Sequence, residues 1–468
     1  MIKHWLKLTA LAGLVATSQL SMAADLSGNW VAQIATQYTR VSLKEDGSNL
    51  TGMWGELKIA GTITGDKIDI SLSDAQDKPA GSLTGTVTGD TFTGSGSIAA
   101  TGGRGGFGGG MGGMGGGAAA PVMTAPGAAA PTAPTAAGGR GGRGGGATVD
   151  FTCTRVATPP AKPRDIHYEP TSFYSYYSAA NKPEITIFPG DVVHTWTADA
   201  NGVDAKGVHH RGSDSNIGPI YIEGALPGDT IALHLLKVRT NRTTATQGTH
   251  LNAHAATTAY LVGAQYDPAV DGQWTLLPDK GIAVPTHPSE HMKNYSVPLK
   301  PMLGCISVAP QGDTQFRTGD LGPFGGNMDY NDNAEGTTIY FPVFHPGALL
   351  GMGDGHAAMG DGEVVGSGLE TSMDVDFSVD VIKGDSSGQV RAETKDYLIA
   401  FGVTGSVPAS IQDATSQLAT WIKKKYDLSD SEVAILFASE LKYDITELVD
   451  SRYNVAAKVP KSVLATMK

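Results

Sequence analysis

Apolar and polar residues alternate along most of this chain, which is the two-residue period of β-strands rather than the 3.6-residue period of helices. The first alternating runs, between residues 26 and 98, are separated by the turn pairs Asp46-Gly47, Gly65-Asp66 and Gly89-Asp90. Such pairs join neighbouring antiparallel strands. Because a further run follows at residues 147–156, we predict a small antiparallel β-sandwich or barrel over residues 24–156.

A stretch of low complexity interrupts this predicted domain. Residues 101–147 consist almost entirely of Gly, Ala, Pro and Thr, so we predict a disordered insertion within the last hairpin. Three arginines in this stretch stand in Arg-Gly-Gly settings, which can bind RNA. Phe107 is the only aromatic residue interleaved with them. We therefore favour a flexible insertion over an RNA-binding segment.

Residues 1–23 have the layout of a secretory signal peptide. Lys3 and Lys7 precede a short apolar run, and small residues lie around Ala23, where cleavage is expected. The apolar run is too short to span a bilayer. We therefore predict export to the periplasm or the extracellular space, with no membrane span.

A second strand pattern begins near residue 165, after a Pro-containing linker at residues 157–164. Apolar, β-branched runs alternate with Gly, Pro and Asp turns, and we predict a larger, mainly β domain over residues 165–468. Helical spacing is convincing only near the end, where residues from about 408 to 450 predict a helical cap. The residues that give this spacing or form a capping box are Ile411, Leu418, Ile422, Ser429 and Glu432.

The charge and cysteine content limit the partners and the chemistry. The chain has 34 Lys and Arg against 46 Asp and Glu, a formal net charge of −12. An acidic surface argues against nucleic acid as a partner. Cys153 and Cys305 lie in different predicted domains and in apolar runs. We predict two buried thiols rather than a disulfide.

The stretch between residues 343 and 370 has the densest set of candidate chemical groups. Within ten residues it contains Asp354, His356, Asp361 and Glu363, with three glycines between them and Gly353 just before. Acidic groups in one glycine-rich loop repel each other unless a cation or a shared proton lies among them. The same residue pattern also occurs in ordinary hairpin turns.

We predict that Asp354, His356 and Asp361 surround a divalent cation, and that Glu363 and Asp361 are catalytic, with Glu363 as general base or acid. A mixed imidazole and carboxylate set suits Zn²⁺, whereas an all-oxygen set suits Ca²⁺. We therefore expect Zn²⁺, with Ca²⁺ as the alternative. Other interpretations stay open for single residues, since Asp361 could only shape a turn and His356 could only donate to a backbone carbonyl.

Three segments of the second domain resemble the acetamidase/formamidase family. They are residues 318–363, which include GGNMD and GDGHAAMGDGE; residues 218–231, with Asn241-Arg242 following; and residues 301–310. The resemblance implies a β-rich, oligomeric enzyme that hydrolyses a short-chain amide to a carboxylate and ammonia. One departure is Met359, which stands where the family usually has Gln, and the lost amide would alter substrate selection.

Further site candidates come from the same segments. Asn327 could donate to the amide oxygen of the substrate, and Asp329 could accept from its nitrogen, although both could instead form Asx turns. Glu223 is a third substrate-binding candidate. Glu370 lies in a strand-like run and could form an ion pair or act in catalysis. The remaining candidates, for which solvated side chains or a loop over the cleft are the alternatives, are His209, His210, Asp214, His250 and His254.

The chain has no serine amidase signature, and the apolar neighbours of Cys305 favour an inert thiol over a nucleophile. Water activated by a metal or a carboxylate is the remaining route. We therefore predict an exported, homo-oligomeric amidohydrolase acting on a small linear amide. The alternative is a non-catalytic envelope protein of the same fold that binds a small ligand or Ca²⁺.

Overall fold

A computed structural model of the chain describes residues 25–98, 148–210, 215–385 and 388–467. The predicted signal peptide and the predicted insertion at residues 101–147 lie outside the described residues. The chain divides into two compact units, and the boundary lies between Val156 and Ala157. Each is described by itself below.

The first unit is a closed antiparallel barrel of eight strands in sequential order. Its strands are β1 (Gly28–Ile34), β2 (Gln37–Asp46), β3 (Asn49–Trp54), β4 (Leu57–Thr64), β5 (Lys67–Ser73), β6 (Pro79–Thr88), β7 (Thr91–Ile98) and β8 (Thr148–Arg155). Pairing of β1 with β8 closes the barrel. The prediction of a small antiparallel β-domain is therefore confirmed, and of the two predicted forms it is the barrel.

Inward-facing apolar side chains fill this barrel. Trp30 and Phe92 pack edge to face with ring centroids 5.0 Å apart, and Cys153 is buried beside them in the same core. The Arg155 guanidinium lies 4.2 Å from the centroid of the Trp30 ring and donates to the carbonyl of Ser27. The Arg155 guanidinium thus covers one face of the Trp30 ring by a cation–π contact while it keeps a hydrogen bond to the backbone.

The second unit is built from four sheets. Its strands are β9 (Asp165–His167), β10 (Tyr176–Tyr177), β11 (Ile185–Ile187), β12 (Val192–Thr197), β13 (Ile217–Ile222), β14 (Thr230–Thr240), β15 (Thr244–Thr246), β16 (Gln273–Leu277), β17 (Ile282–Pro285), β18 (Val297–Pro298), β19 (Met302–Ser307), β20 (Phe316–Arg317), β21 (Leu321–Gly322), β22 (Gly325–Asn327), β23 (Thr338–Pro342), β24 (Leu350–His356), β25 (Met373–Ile382), β26 (Arg391–Glu393), β27 (Tyr397–Thr404), β28 (Lys442–Glu447) and β29 (Tyr453–Pro460).

Two of these sheets share the main apolar core. The larger has nine strands in the order β28-β29-β27-β26-β23-β14-β25-β12-β9, and the smaller has six in the order β11-β13-β24-β19-β22-β21. Leu233 and Phe377 from the larger sheet are buried in one cluster with Ile306 and Met352 from the smaller. The mainly β prediction is confirmed, and β24, which carries the predicted site, lies inside the six-stranded sheet.

The described helices are α1 (Thr258–Gly263), α2 (Val407–Tyr426), α3 (Asp430–Glu440) and α4 (Lys461–Leu464). Leu418 and Ile422 of α2 are buried against the nine-stranded sheet, as their spacing predicts. Ser429 and Glu432 form the expected capping box of α3. Within the described ranges, none of the helices has the length and apolar character needed to cross a membrane.

The helical cap ends earlier than predicted. Helix α3 stops at Glu440, and residues 442–447, which were expected to be helical, form β28. This strand pairs antiparallel with β29 at the edge of the large sheet. Pairing with an available neighbour decides the conformation here, because β propensity depends strongly on context.

We expect the Gly402→Ala substitution to lower the free energy of unfolding by about 1–3 kcal/mol. A Cβ on Gly402 of β27 would lie 2.1 Å from the Ser410 carbonyl oxygen of α2, so the helix would have to move away from the sheet. Urea unfolding followed by tryptophan fluorescence measures the change. Gly405→Ala is the matched control, since a Cβ there meets nothing within 4 Å; equal effects of both substitutions would contradict the close helix–sheet contact.

Candidate active site

Strand β24 positions the first two candidate side chains. Asp354 and His356 are two residues apart, so they share one face of the strand, while Gly353 and Gly355 lie on the other. A Cβ at Gly353 would lie 2.7 Å from the Ser215 carbonyl oxygen, so a neighbouring segment packs directly on the backbone. The stretch predicted as a glycine-rich loop is thus partly a buried strand, and its glycines allow close packing.

The His356 imidazole is fully buried and lies among carboxyl groups. Its Nε2 is 3.1 Å from Asp354 Oδ1 and 3.1 Å from Glu370 Oε1, and its Nδ1 is 3.9 Å from Asp329 Oδ1. Burial alone would lower the pKa of His356, but the Glu370 and Asp354 carboxylates raise that pKa well above its usual value. An imidazolium therefore compensates part of the acidic charge.

Asp329 reaches the same place from the turn after β22. A Cβ on Gly304 would lie 2.3 Å from Asp354 Oδ2 and 2.4 Å from Asp329 Oδ1, so these two oxygens converge over a position that only glycine leaves open. Asp329 is fully buried, and neither of its oxygens has a hydrogen-bond partner among the described residues. Burial and the nearby Asp354 raise the pKa of Asp329 well above its usual value.

Three glutamates complete the cluster. Burial, followed by repulsion from Asp329, raises the pKa of Glu363 to about 12. Burial is also the main cause that raises the pKa values of Glu370 and Glu447 to about 7, with repulsion from Asp354 acting on Glu370 and repulsion from Asp450 acting on Glu447. The cluster therefore holds protons at neutral pH that ordinary glutamates would have lost.

The donor atoms of these residues lie close enough to share a cation. In three overlapping groups the nearest ligand atoms are all within 4.8 Å of one another. The groups are Asp329, Asp354 and His356; His356, Glu363 and Glu370; and Asp329, Glu363 and Glu447. Buried, unpartnered carboxylate oxygens with a neighbouring imidazole are the donors expected for a divalent cation.

A polar cleft of about 410 Å³ opens onto this cluster. Asp354, Glu363 and Glu370 line it, together with polar residues from other segments. The polar and small residues of this lining are Ala200, Asn201, Thr246, Gln247, Gly248, Gly319, Asn327, Gly366, Ser367 and Asp450. A small polar molecule in the cleft would therefore lie beside the buried acids.

Three of the acids have a backbone conformation that is rare outside glycine. The φ angles of Asp329, Asp354 and Glu363 are 40°, 59° and 45°. Non-glycine residues in this region carry strain that the surrounding structure must compensate. The fold therefore holds these carboxyl groups in place against a local conformational preference.

The structure does not bring every predicted residue into the cluster. Asp361, predicted as metal ligand and catalytic residue, is exposed and accepts a hydrogen bond from Asn331 Nδ2 at 2.7 Å. The turn after β24 directs Glu363 inward and leaves Asp361 at the surface, so Asp361 is not in the metal-binding groups. Glu223, predicted to bind substrate, is half-buried, accepts from the Ala157 amide at 3.1 Å and does not line the cleft.

Asn327 lines the cleft, but both ends of its amide are already engaged. Its Oδ1 accepts from the Cys305 thiol at 2.6 Å, and its Nδ2 donates to Asp450 Oδ2 at 2.7 Å. The thiol is buried and also lies 3.6 Å from Asp354 Oδ2. Cys305 and Cys153 are buried and not joined in a disulfide, as predicted. Met359 is half-buried and does not line the cleft.

The other histidine candidates lie outside the metal-binding groups found in the described part of the chain. His210 pairs with Asp204 at 3.0 Å, and the His250 ring packs tilted against the Tyr266 ring with centroids 3.8 Å apart. His209 forms a backbone bridge, and His254 contacts the Tyr453 ring. Asp214 lies outside the described residues.

Sequence reasoning missed two acids and left a third open. Glu447 and Asp450 lie at the end of the predicted helical cap and had no local motif to mark them. A backbone bridge between Gly362 and Glu447 joins them to the turn that carries Glu363. Glu370, for which an ion pair and catalysis were both open, contacts His356 in the centre of the cluster.

Comparisons with known proteins agree with this architecture. The model of the acetamidase/formamidase family matches residues 317–396, a range that includes Asp329, Asp354, His356, Glu363 and Glu370. A solved structure, described as a predicted acetamidase/formamidase from Thermoanaerobacter tengcongensis, has 28% identity and a TM-score of 0.56, and the match covers 65% of this chain and 99% of that one.

Two curated relatives match over shorter segments. The acetamidase of Mycolicibacterium smegmatis is 31% identical over 119 residues, which is 25% of this chain and 26% of that protein. The formamidase of Methylophilus methylotrophus is 26% identical over 147 residues, which is 27% of this chain and 36% of that protein. The matches thus span about a quarter to a third of these relatives. Together with the fold, they show that the second unit of this chain is similar to proteins of the acetamidase/formamidase family.

Proposed function

We propose that this chain hydrolyses a short-chain linear amide to a carboxylate and ammonia. The observation that carries the proposal is the buried set of acids around His356, which opens onto a polar cleft and has unpartnered carboxylate oxygens. Similarity to relatives named as an acetamidase and a formamidase supports amides as the substrate class. We also propose export and assembly into a homo-oligomer, on the sequence arguments given above.

The donor set fits a divalent cation. Asp329, Asp354 and His356 would hold it, with Asp329 taking the place that the sequence assigned to Asp361. The unpartnered oxygens of the fully buried Asp329 are the direct structural support, because a buried carboxylate without a partner is costly. Imidazole and carboxylate donors together suit Zn²⁺, and the number of carboxylates also allows Ca²⁺. Such a cation supplies a Lewis acid that polarises the amide carbonyl and favours deprotonation of water.

The chain's own acids would handle the protons. Glu370 lies 3.1 Å from His356 Nε2, and its pKa of about 7 allows it to accept a proton from the attacking water at neutral pH. Glu363 lines the cleft and holds a proton under the same conditions, so it can donate to the departing nitrogen. The water oxygen bonds to the carbonyl carbon, the C–N bond breaks, and the nitrogen leaves as ammonia with the Glu363 proton.

We expect Glu363→Gln to lower kcat/KM for amide hydrolysis by about 10²–10⁴, the range typical of a lost proton-transferring group. The glutamine keeps the size of the side chain but cannot donate the carboxyl proton. Ammonia release from formamide, acetamide and propionamide measures the effect. Asp361→Asn is the matched control and should stay within about twofold, because that side chain is exposed. A large loss in the control with little change in Glu363→Gln would reverse the assignment.

Chelator treatment should abolish ammonia release, and added Zn²⁺ or Ca²⁺ should restore it. If a cation or a small amide raises the melting temperature but no amide in the panel is hydrolysed, the non-catalytic binding protein is the correct alternative.

We expect the metal-free protein to lose stability as pH rises from about 5 to about 8. The folded pKa values of Glu370 and Glu447 are about 7, above the unfolded value of 4.5, so the folded state binds more protons in this range and unfolding is favoured as those protons leave. Calorimetric melting temperatures of chelator-treated protein measure the slope. A divalent cation should stabilise more at the higher pH, because it binds the ionised carboxylates.

Glu447→Gln is the matched variant for this prediction, since it removes one of the two carboxyl groups whose pKa is raised to about 7. Its metal-free form should show a smaller drop in melting temperature between the two pH values than the parent chain. A metal-free protein whose melting temperature rises over this range would contradict the presence of buried, protonated acids.

A further inference from the structure

Between β15 and β16 the chain makes a long excursion over residues 247–272, which we call the arm. We propose that the arm is a subunit interface, and that the partner on which it packs is a second copy of this chain. This inference rests on the homo-oligomer proposed above and names the surface that forms it. It is tested by the mass of the protein rather than by hydrolysis.

Local contacts give the arm a defined conformation. Its two ends meet where the Gln247 amide donates to the Gly272 carbonyl at 2.9 Å, which closes the excursion at its neck. The Thr257 hydroxyl caps α1 by accepting from a backbone amide of the first turn. The Asn252 amide donates to the Val364 carbonyl at 2.8 Å and ties the arm to the turn after β24.

The arm nevertheless has no core of its own. All of its residues are described, and none of them is buried. The six residues of α1 include Tyr260 and Val262, whose exposed fractions are 57% and 83%, and Tyr266 beyond the helix is also exposed. So short a helix is not stable without tertiary packing. Because the described part of the chain does not supply that packing, we infer that a neighbouring molecule does.

The charge pattern selects a second copy as that molecule. Residues 243–266 include no Asp, Glu, Lys or Arg, although charged residues make up 17% of the chain. A nucleic acid, an anionic membrane or a protein of opposite charge would be recognised through charged side chains. Two copies with a net charge of −12 repel each other, and an uncharged patch is where they approach at the least electrostatic cost. Depletion of charge with enrichment of aromatic residues is also the composition of interface cores.

The cleft of the same chain is a poor match for the tip of the arm. Its lining is polar and includes the acids Asp354, Glu363 and Glu370. Covering ionisable carboxyl groups with the apolar side chains of Tyr260 and Val262 would bury charge without a partner, which is costly. The tip therefore matches an apolar surface on another molecule.

The interface would also support the cleft from one side. Gln247 and Gly248, at the neck of the arm, line the cleft, and the Gly248 amide donates to the Ser367 hydroxyl at 2.6 Å. Contacts that hold the arm in an oligomer would therefore hold this wall of the cleft as well.

The test measures the mass of the full chain. Sedimentation equilibrium from about 0.1 to about 100 μM gives the number of copies and the dissociation constant. We expect an oligomer whose dissociation constant rises by more than about tenfold in Val262→Asp, because the new carboxylate would be buried in the interface without a partner. Ile435→Asp is the matched control, since Ile435 lies on α3 and is 72% exposed. Its dissociation constant should stay within about twofold of the parent value.

Amide hydrogen exchange locates the contact. The amides of α1 should exchange more slowly at concentrations where the oligomer forms than after dilution, whereas those of α3 should not change. Slower exchange of α1 when acetamide is added to a monomeric chain would identify the arm as a lid over its own cleft and would overturn the interface.

A mass of one chain at every concentration would overturn the proposal, and this result does not depend on any variant folding. An oligomer that Val262→Asp leaves unchanged, or that Ile435→Asp dissociates equally, would overturn the assignment of the arm. Ammonia release by a monomeric chain would remove the interface and leave the proposed hydrolysis standing. An oligomer that Val262→Asp dissociates, but that hydrolyses no amide, would do the opposite.

Discussion

The mutual repulsion of buried carboxyl groups is the constraint on which the second unit depends. Three overlapping groups of donor atoms link Glu363, Glu370 and Glu447 to Asp329 and Asp354, and His356 is the imidazole shared by two of these groups. Water screens these charges only weakly, because the side chains are almost completely buried. The cluster can persist only with protons or cations among its members.

The fold offsets this repulsion by rigid placement. Strand β24 is buried along its whole length, pairs with β13 at Leu350 and Met352, and pairs with β19 as far as His356, so the sheet holds the backbone that carries Asp354 and His356. Arg242 adds an anchor next to the cluster, because its guanidinium pairs with Asp199 and donates to the Glu370 carbonyl. Asn241 and Arg242, part of the segments that resemble the family, thus act through the backbone around the site.

Glycine has a particular role in this arrangement. Gly304 leaves the space over which the Asp329 and Asp354 oxygens converge, and any side chain there would fill it. Gly368 does the same for the His356 ring, since a Cβ would lie 2.5 Å from Nδ1. The density of glycine around the acids therefore reflects close packing against polar groups more than loop flexibility.

The sequence by itself determined the elements and part of the site. Alternation predicted the strands of the barrel, and the capping box predicted the start of α3, because both signals are local. Asp354, His356 and Glu363 could be chosen because they lie within ten residues of one another. Only the tertiary structure decided that Asp361 is exposed and that Glu370 and Glu447 complete the cluster. Glu447 is placed by the pairing of β28 with β29 and by its bridge to Gly362, contacts between segments far apart in the chain that leave no trace in local spacing.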